Sequence, residues 1–144
     1  MSLPLPFTPH RLLAPMEGVT EPCFRGLVLE RNPPDQLGGA TTEFVRVVDV
    51  AVPPRVLREH LGSRQFPQPV ALQLLGSSTD AMAETARRAA AEGAPVVDLN
   101  FGCPSKGALR GCAGSALLDE PSSIERLVRA CVAAAGETPV TAKI

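Results

Sequence analysis

Tryptophan and tyrosine are absent, and phenylalanine is sparse, with five copies in 144 residues. A core built without large rings must rest on Leu, Val and Ala, which suits close packing of helices on strands. An excess of either charge is also missing. Fourteen basic residues stand against fifteen acidic ones for a formal net charge of -1, which argues against a free-standing nucleic-acid binder. An enzyme that grips RNA with a few local arginines is compatible with that balance. No apolar run is long enough to cross a membrane. The first nine residues carry three prolines and lack both a basic n-region and an apolar h-region. They are expected to be a flexible tail and not a secretory signal. Metal-ligand spacing is lacking too: none of Cys23, Cys103, Cys112 and Cys131 forms a CxxC pair, and the two histidines lie far apart. The cysteines read as thiols of a cytoplasmic protein, with neither a disulfide framework nor a zinc site expected.

What is present is an alternation of strand and helix patterns over residues 10–144, a single domain by length. A short apolar run, Leu12, Leu13 and Ala14, stops at Pro15. Thr20 stands where a cap would open a helix to about Arg31, ended by Asn32, Pro33, Pro34 and Asp35. Residues 41–45 read as a second strand and 53–61 as a short helix closed by Gly62. Residues 70–75 are apolar except for Gln73, the pattern of a strand buried on both faces. An Ala-rich helix follows from Ser78 or Thr79 to Ala91, with Gly93 as its stop, and a fourth strand spans 95–99. Ser122 and Glu125 have capping-box spacing, and Ile124, Leu127, Val128, Cys131 and Val132 form one apolar stripe. Gly136 ends that helix, and 139–144 begin a fifth strand. Repeated units of this kind require a parallel sheet with right-handed crossovers. Either a doubly wound open sheet or a (β/α)8 TIM barrel satisfies that requirement. A closed barrel takes about 250 residues, so a chain that stops inside its fifth strand pattern is expected to be a half barrel.

Chemistry-bearing residues collect just after strands, where parallel α/β folds keep their functional loops. Pro15, Met16 and Glu17 follow the first strand, Gln73 interrupts the third, residues 98–106 follow the fourth, and Lys143 lies on the fifth. Cys103 is set between Gly102, which permits close backbone approach, and Pro104, which stiffens the turn. A cysteine in such a polar loop is a poor core filler, whereas Cys131 on its helix stripe is a good one. Thiols as a class are mostly protonated near neutral pH, so a thiol held in a loop can serve as a proton donor. Lys106 and Arg110 are its basic neighbours in sequence. Each candidate also has a plainer reading. Gln73 satisfies backbone groups, Asn100 is a turn residue, Arg46 a solvated charge, Met16 core packing, and Lys143 one half of an ion pair with Asp98 or Glu43.

Taken in order, LAPMEGVTEPCFR, TEFVRVVD, VALQLLG, VDLNFGCPSK and GSALLDEP, followed by a lysine on the next strand, resemble the tRNA-dihydrouridine synthases over about residues 10–144. TEFVRVVD is especially similar to the bacterial C-type branch. The resemblance implies an FMN-binding TIM barrel that draws on NADPH or NADH to reduce the C5=C6 bond of a tRNA uridine. It implies Cys103 as the acid that protonates C5, and Pro15, Met16 and Glu17 against the isoalloxazine ring. Gln73 and Lys143 become polar flavin contacts, Asn100 a contact of the flipped uridine, and Arg46 the reader of tRNA orientation. A cation near the flavin N1 would stabilise the reduced ring.

The family's second half supplies further flavin phosphate contacts and a helical tRNA-binding domain. Neither lies within these 144 residues. The chain by itself is therefore expected to bind FMN poorly, and the full-length enzyme to be a monomer. Cys112 is a position the resemblance does not assign. Two other classes stay open. One is another FMN barrel acting on a pyrimidine, such as a dihydropyrimidine or dihydroorotate dehydrogenase. The other is an inactive fragment serving as an interaction module through its open sheet edges.

Overall fold

The computed structural model describes residues 4–63, 65–105 and 113–144. Strands and helices alternate as β1 (Leu12–Leu13), α1 (Pro22–Arg31), β2 (Gly39–Thr41), β3 (Val45–Arg46), α2 (Pro54–Leu61), β4 (Val70–Leu75), α3 (Thr79–Ala91), β5 (Val97–Asn100), a 3-10 turn (Gly114–Asp119), α4 (Pro121–Ala135) and β6 (Val140–Lys143). All pairings are parallel, and the sheet runs β1-β2-β4-β5-β6, with β3 also paired to β4. Strand order thus follows chain order with no reversal. A doubly wound sheet would reverse at a switch point, so the architecture is the expected half barrel.

β2 and β3 are two pieces of one interrupted strand. Thr41 pairs with Ala71 and Val45 with Leu74, so four steps along one strand meet three along its neighbour. This surplus residue is a bulge. The Thr42 hydroxyl repairs the ladder there, accepting the N–H of Gln73 at 3.0 Å, while the Thr42 N–H reaches the Ala71 carbonyl at 2.9 Å.

The sheet has two unlike faces, because side chains alternate along each strand. Leu72 and Leu74 of β4 and Val97 and Leu99 of β5 pack outward onto Met82 and Ala86 of α3 and Leu127 and Cys131 of α4. Close helix packing suits the small residues: Ala86 and Ala89 are fully enclosed. The opposite face is lined by Ala71, Gln73 and Leu75 on β4 and by Asp98 and Asn100 on β5. At its floor Phe7 is buried against Ala71 and Val96. The segment expected as a flexible tail thus differs at Phe7, because the floor of the sheet offers its ring an apolar seat; Met1, Ser2 and Leu3 lie outside the described residues.

Helix ends match the sequence at their C-termini more closely than at their N-termini. Gly62 and Gly136 cap α2 and α4 with positive φ, and Gly93 does the same just after α3. Thr20 does not cap α1, which starts at Pro22 behind Glu21, and α4 starts at Pro121, one residue before the expected capping box. Proline at the first helical turn takes over the starting role at both places, since its fixed φ suits that position. No helix among the described residues is long and apolar enough to cross a membrane.

Candidate functional site at the carboxyl ends of the strands

The inner face carries a row of polar side chains in an otherwise apolar sheet. Gln73 pairs with Asp98, Asp98 with Thr141 and Asn100 with Lys143 in the ladder, which places all five on the same side. Gln73 is fully enclosed, and Asp98 and Asn100 nearly so. Burial of this kind requires hydrogen-bond partners, and they are present. Gln73 Nε2 donates to Asp98 Oδ2 at 2.7 Å, and the Thr141 hydroxyl donates to Asp98 Oδ1 at 2.6 Å. Asn100 Nδ2 donates to Gln73 Oε1 at 2.8 Å, and Asn100 Oδ1 accepts the N–H of Gly102 at 3.0 Å.

That last bond ties the network to the cysteine loop. A Cβ at Gly102 would stand 3.1 Å from the Ile144 carbonyl carbon and 3.4 Å from Lys143 Nζ. Glycine lets the loop lie this close to β6 and its ammonium group. The Cys103 carbonyl accepts both the N–H and the hydroxyl of Ser115, at 3.1 and 3.2 Å. Its thiol points to the Ser105 hydroxyl at 3.3 Å, and the half-buried side chain packs, as Phe44 also does, on the cluster of Leu75 and Ala113. Cys103 is therefore neither sealed in the core nor free in solvent. Cys131 is the contrast: fully enclosed on α4, its thiol is pushed up to about 11 by burial.

Leu75 and Ala113 also line a cleft of about 260 Å³ bordered by Arg46, Asp49, Ser77 and Ser78. Arg46 and Cys103 thus share neighbours at one mouth of the half barrel. A cavity of similar size, about 250 Å³, opens at the other end of the sheet between Leu61, Phe66, Pro69 and Val70. Among the described residues it is lined by no ionisable side chain, so chemistry and not size marks the site.

The loop after β1 stands apart from this network. Pro15 is half-buried, while Met16 and Glu17 are exposed. The loop is held shut by Thr20, whose Oγ1 accepts the Met16 N–H at 2.8 Å. Buried Arg25 donates to the Thr20 carbonyl and to the carbonyls of His60 and Leu61 at the end of α2, at 2.6 to 2.9 Å. Burial lowers the proton affinity of Arg25 from its ordinary value, and the nearby Glu43 carboxylate opposes that shift. Glu43 Oε1 is itself buried with no hydrogen-bond partner among the described residues. Lys143 forms no ion pair among the described residues, because Asp98 is taken by Gln73 and Thr141. Arg55 and Arg58 are occupied by Glu59 and Glu92 on the outer surface. Lys106, Arg110 and Cys112 lie outside the described residues. No cluster of His, Cys, Asp and Glu suited to a metal ion occurs among the described residues.

Thr141, Thr42 and Arg25 were not singled out from the sequence as site-building residues, and Asp98 was named there only within the loop after the fourth strand and as an ion-pair partner for Lys143. A signal for Asp98 and Thr141 existed: polar residues two apart in apolar strands, Asp98 with Asn100 and Thr141 with Lys143, mark a polar face of period two.

A parallel half barrel with a buried amide pair, a lysine and a loop thiol at its strand ends defines a scaffold of the TIM-barrel type. The family model for dihydrouridine synthase (Dus) matches residues 12–144, nearly the whole chain, and the chain belongs to this family. A tRNA-dihydrouridine(16) synthase of Shewanella oneidensis is 45% identical over 140 residues, covering 92% of this chain and 44% of that protein. Enzymes of the same description from Vibrio parahaemolyticus and Haemophilus influenzae are each 41% identical, over 92% of this chain and 42% and 44% of their own lengths. The chain thus spans less than half the length of the curated relatives it matches.

Proposed function

We propose that this chain forms the pyrimidine-facing part of a flavin site that reduces uridine to 5,6-dihydrouridine in tRNA. Its relatives' names point to uridine 16 as the target. The observation that carries the reading is the series in which Gln73 bonds Asn100 and Asn100 bonds Gly102, the residue before Cys103, beside Lys143. This donor set fits the polar edge of an isoalloxazine ring, whose carbonyl oxygens and N1 need N–H and ammonium partners. Gln73 and Lys143 would hold that edge, with Pro15, Met16 and Glu17 against the ring from the loop after β1. FMN, when bound there, supplies a hydride equivalent for uracil C6, with NADPH or NADH as the source of electrons.

The chain's own work is to orient the base and to deliver a proton. Asn100 holds the uracil flat, and Cys103 transfers the proton on Sγ to C5 as that carbon gains electron density. The resulting thiolate regains its proton from water, with the Ser105 hydroxyl 3.3 Å away on the path. Extruding the base from the tRNA costs roughly a few kcal/mol, and Arg46 at the rim offsets part of it through a phosphate contact. The enzyme acts as a monomer in the cytoplasm. Replacing Cys103 with Ala in the enzyme should lower dihydrouridine formation by about 100-fold or more, while NADPH still bleaches the flavin. Normal turnover in that variant would remove Cys103 from the mechanism. Turnover of free uracil in preference to tRNA would redirect the reading to a small-molecule pyrimidine reductase.

A further inference from the structure

We infer that Asp98 is a positioning residue that decides which way every amide of the site faces. A carboxylate oxygen accepts hydrogen bonds and does not donate them. Gln73 must therefore turn its Nε2 toward Asp98 Oδ2, 2.7 Å away. Its Oε1 is then left to face Asn100, which must offer Nδ2 at 2.8 Å. Asn100 Oδ1 is thereby turned to the Gly102 N–H at 3.0 Å, one residue before the thiol. Thr141 anchors the start of the series by donating to the other Asp98 oxygen at 2.6 Å. Three bonds carry one polarity from β5 through β4 and back to the cysteine loop.

The consequence is chemical. Both amide oxygens are already bonded, while each amide nitrogen carries a second hydrogen. The site is a donor surface, suited to the carbonyl oxygens of a planar heterocycle, and this last clause rests on the function proposed above. Both Asp98 oxygens are taken within the chain, by Gln73 and Thr141. Asp98 acts through Gln73 and Asn100.

The test reverses the series in the 144-residue chain without flavin or tRNA. Asp98→Asn alone should raise the unfolding equilibrium constant less than about threefold, because the introduced amide can keep its oxygen toward Gln73 and offer its N–H to the Thr141 hydroxyl. Asn100→Asp alone should raise it about tenfold or more, because two acceptors then face each other in a buried space. The exchange D98N/N100D should return to within about threefold of wild type. In it the amide at position 98 donates to Gln73, and Gln73 donates to the carboxylate at position 100. Nuclear magnetic resonance supplies the second readout. Scalar coupling across the hydrogen bond should link Gln73 Nε2 to the carboxylate carbon of residue 98 in wild type and of residue 100 in the exchange. An Asn100→Asp chain too unstable to fold, beside a folded exchange variant, is the same rescue in stronger form. An exchange variant no better than Asn100→Asp, or one rescued with Gln73 Nε2 still coupled to residue 98, overturns the inference. Because neither readout involves catalysis, its failure leaves the proposed reaction standing, and the converse also holds.

Discussion

The two faces of the sheet solve the burial problem in different ways. Outward, Leu72, Leu74, Val97 and Leu99 meet the helices through dispersion and the removal of apolar surface from water. Inward, Gln73, Asp98, Asn100 and Thr141 meet one another through directed hydrogen bonds. An apolar contact tolerates adjustment and gains with area. A buried polar series gains little net stability when complete and loses much when one member is removed. The outer face therefore holds the fold, and the inner face devotes its side chains to orientation. The same contrast separates the two cysteines, Cys131 enclosed in the first environment and Cys103 half-open beside the second.

The largest effect expected is on the outer face. Leu72→Ala should cost about 3 kcal/mol in urea unfolding, the usual range for a fully enclosed leucine. A loss below about 1 kcal/mol would mean that the helices do not bear on the sheet as described. Thr141→Val, nearly isosteric, should cost about 1 to 2 kcal/mol by leaving one Asp98 oxygen without its donor. An unchanged midpoint for this variant would show that water replaces the hydroxyl and that the inner face is wetter than the contacts imply. The thiols sharpen the contrast next. At pH 8, Cys131 should react with iodoacetamide about 100-fold more slowly than an ordinary thiol, since its proton is held to about 11 against a usual 9.0. Because the folded state keeps that proton longer than the unfolded state, stability should fall as pH rises through this interval. Equal labelling of Cys131 and exposed Cys23 under native conditions would contradict the enclosure of α4 against the sheet.

The smallest effect lies on the exposed side of α3. Glu84 is bonded by Arg87 at 2.7 Å and by Arg88 at 2.8 Å, and these bonds lower its carboxyl to about 2 from an ordinary 4.5. The depressed folded value means that the contribution of these bonds is present above about 4.5 and is lost as pH falls toward 2. Solvent and salt screen such contacts, so Glu84→Gln should leave the unfolding midpoint nearly unchanged at neutral pH while abolishing the low titration of that side chain.

Strand and helix order was legible because hydrophobic periodicity and glycine stops act locally. Gly62, Gly93 and Gly136 mark ends that the backbone obeys wherever the helix packs. The nearness of Gln73 to Asn100, and of Asn100 to the loop that carries Cys103, was legible in outline, since these positions follow or lie in parallel strands. Their wiring was not. The bonds from Thr42 to Gln73 and from Thr141 to Asp98 join residues 31 and 43 positions apart, and no local pattern records which polar side chain finds which. Arg25 was hidden for a related reason: an arginine on a helix reads as solvated until the carbonyls of α2 are seen to surround it.

The bulge between β2 and β3 sets the phase of everything that follows it on that strand. In an unbroken ladder continuing from Thr41 opposite Ala71, Phe44 would stand opposite Leu74, and Arg46 would turn toward the helices. The surplus residue exchanges outside for inside, so that Val45 joins the outer core and Arg46 borders the mouth. Where this cation points is therefore fixed by a count of residues along the backbone, and no change of side chain at 42–44 that keeps the count would by itself redirect it.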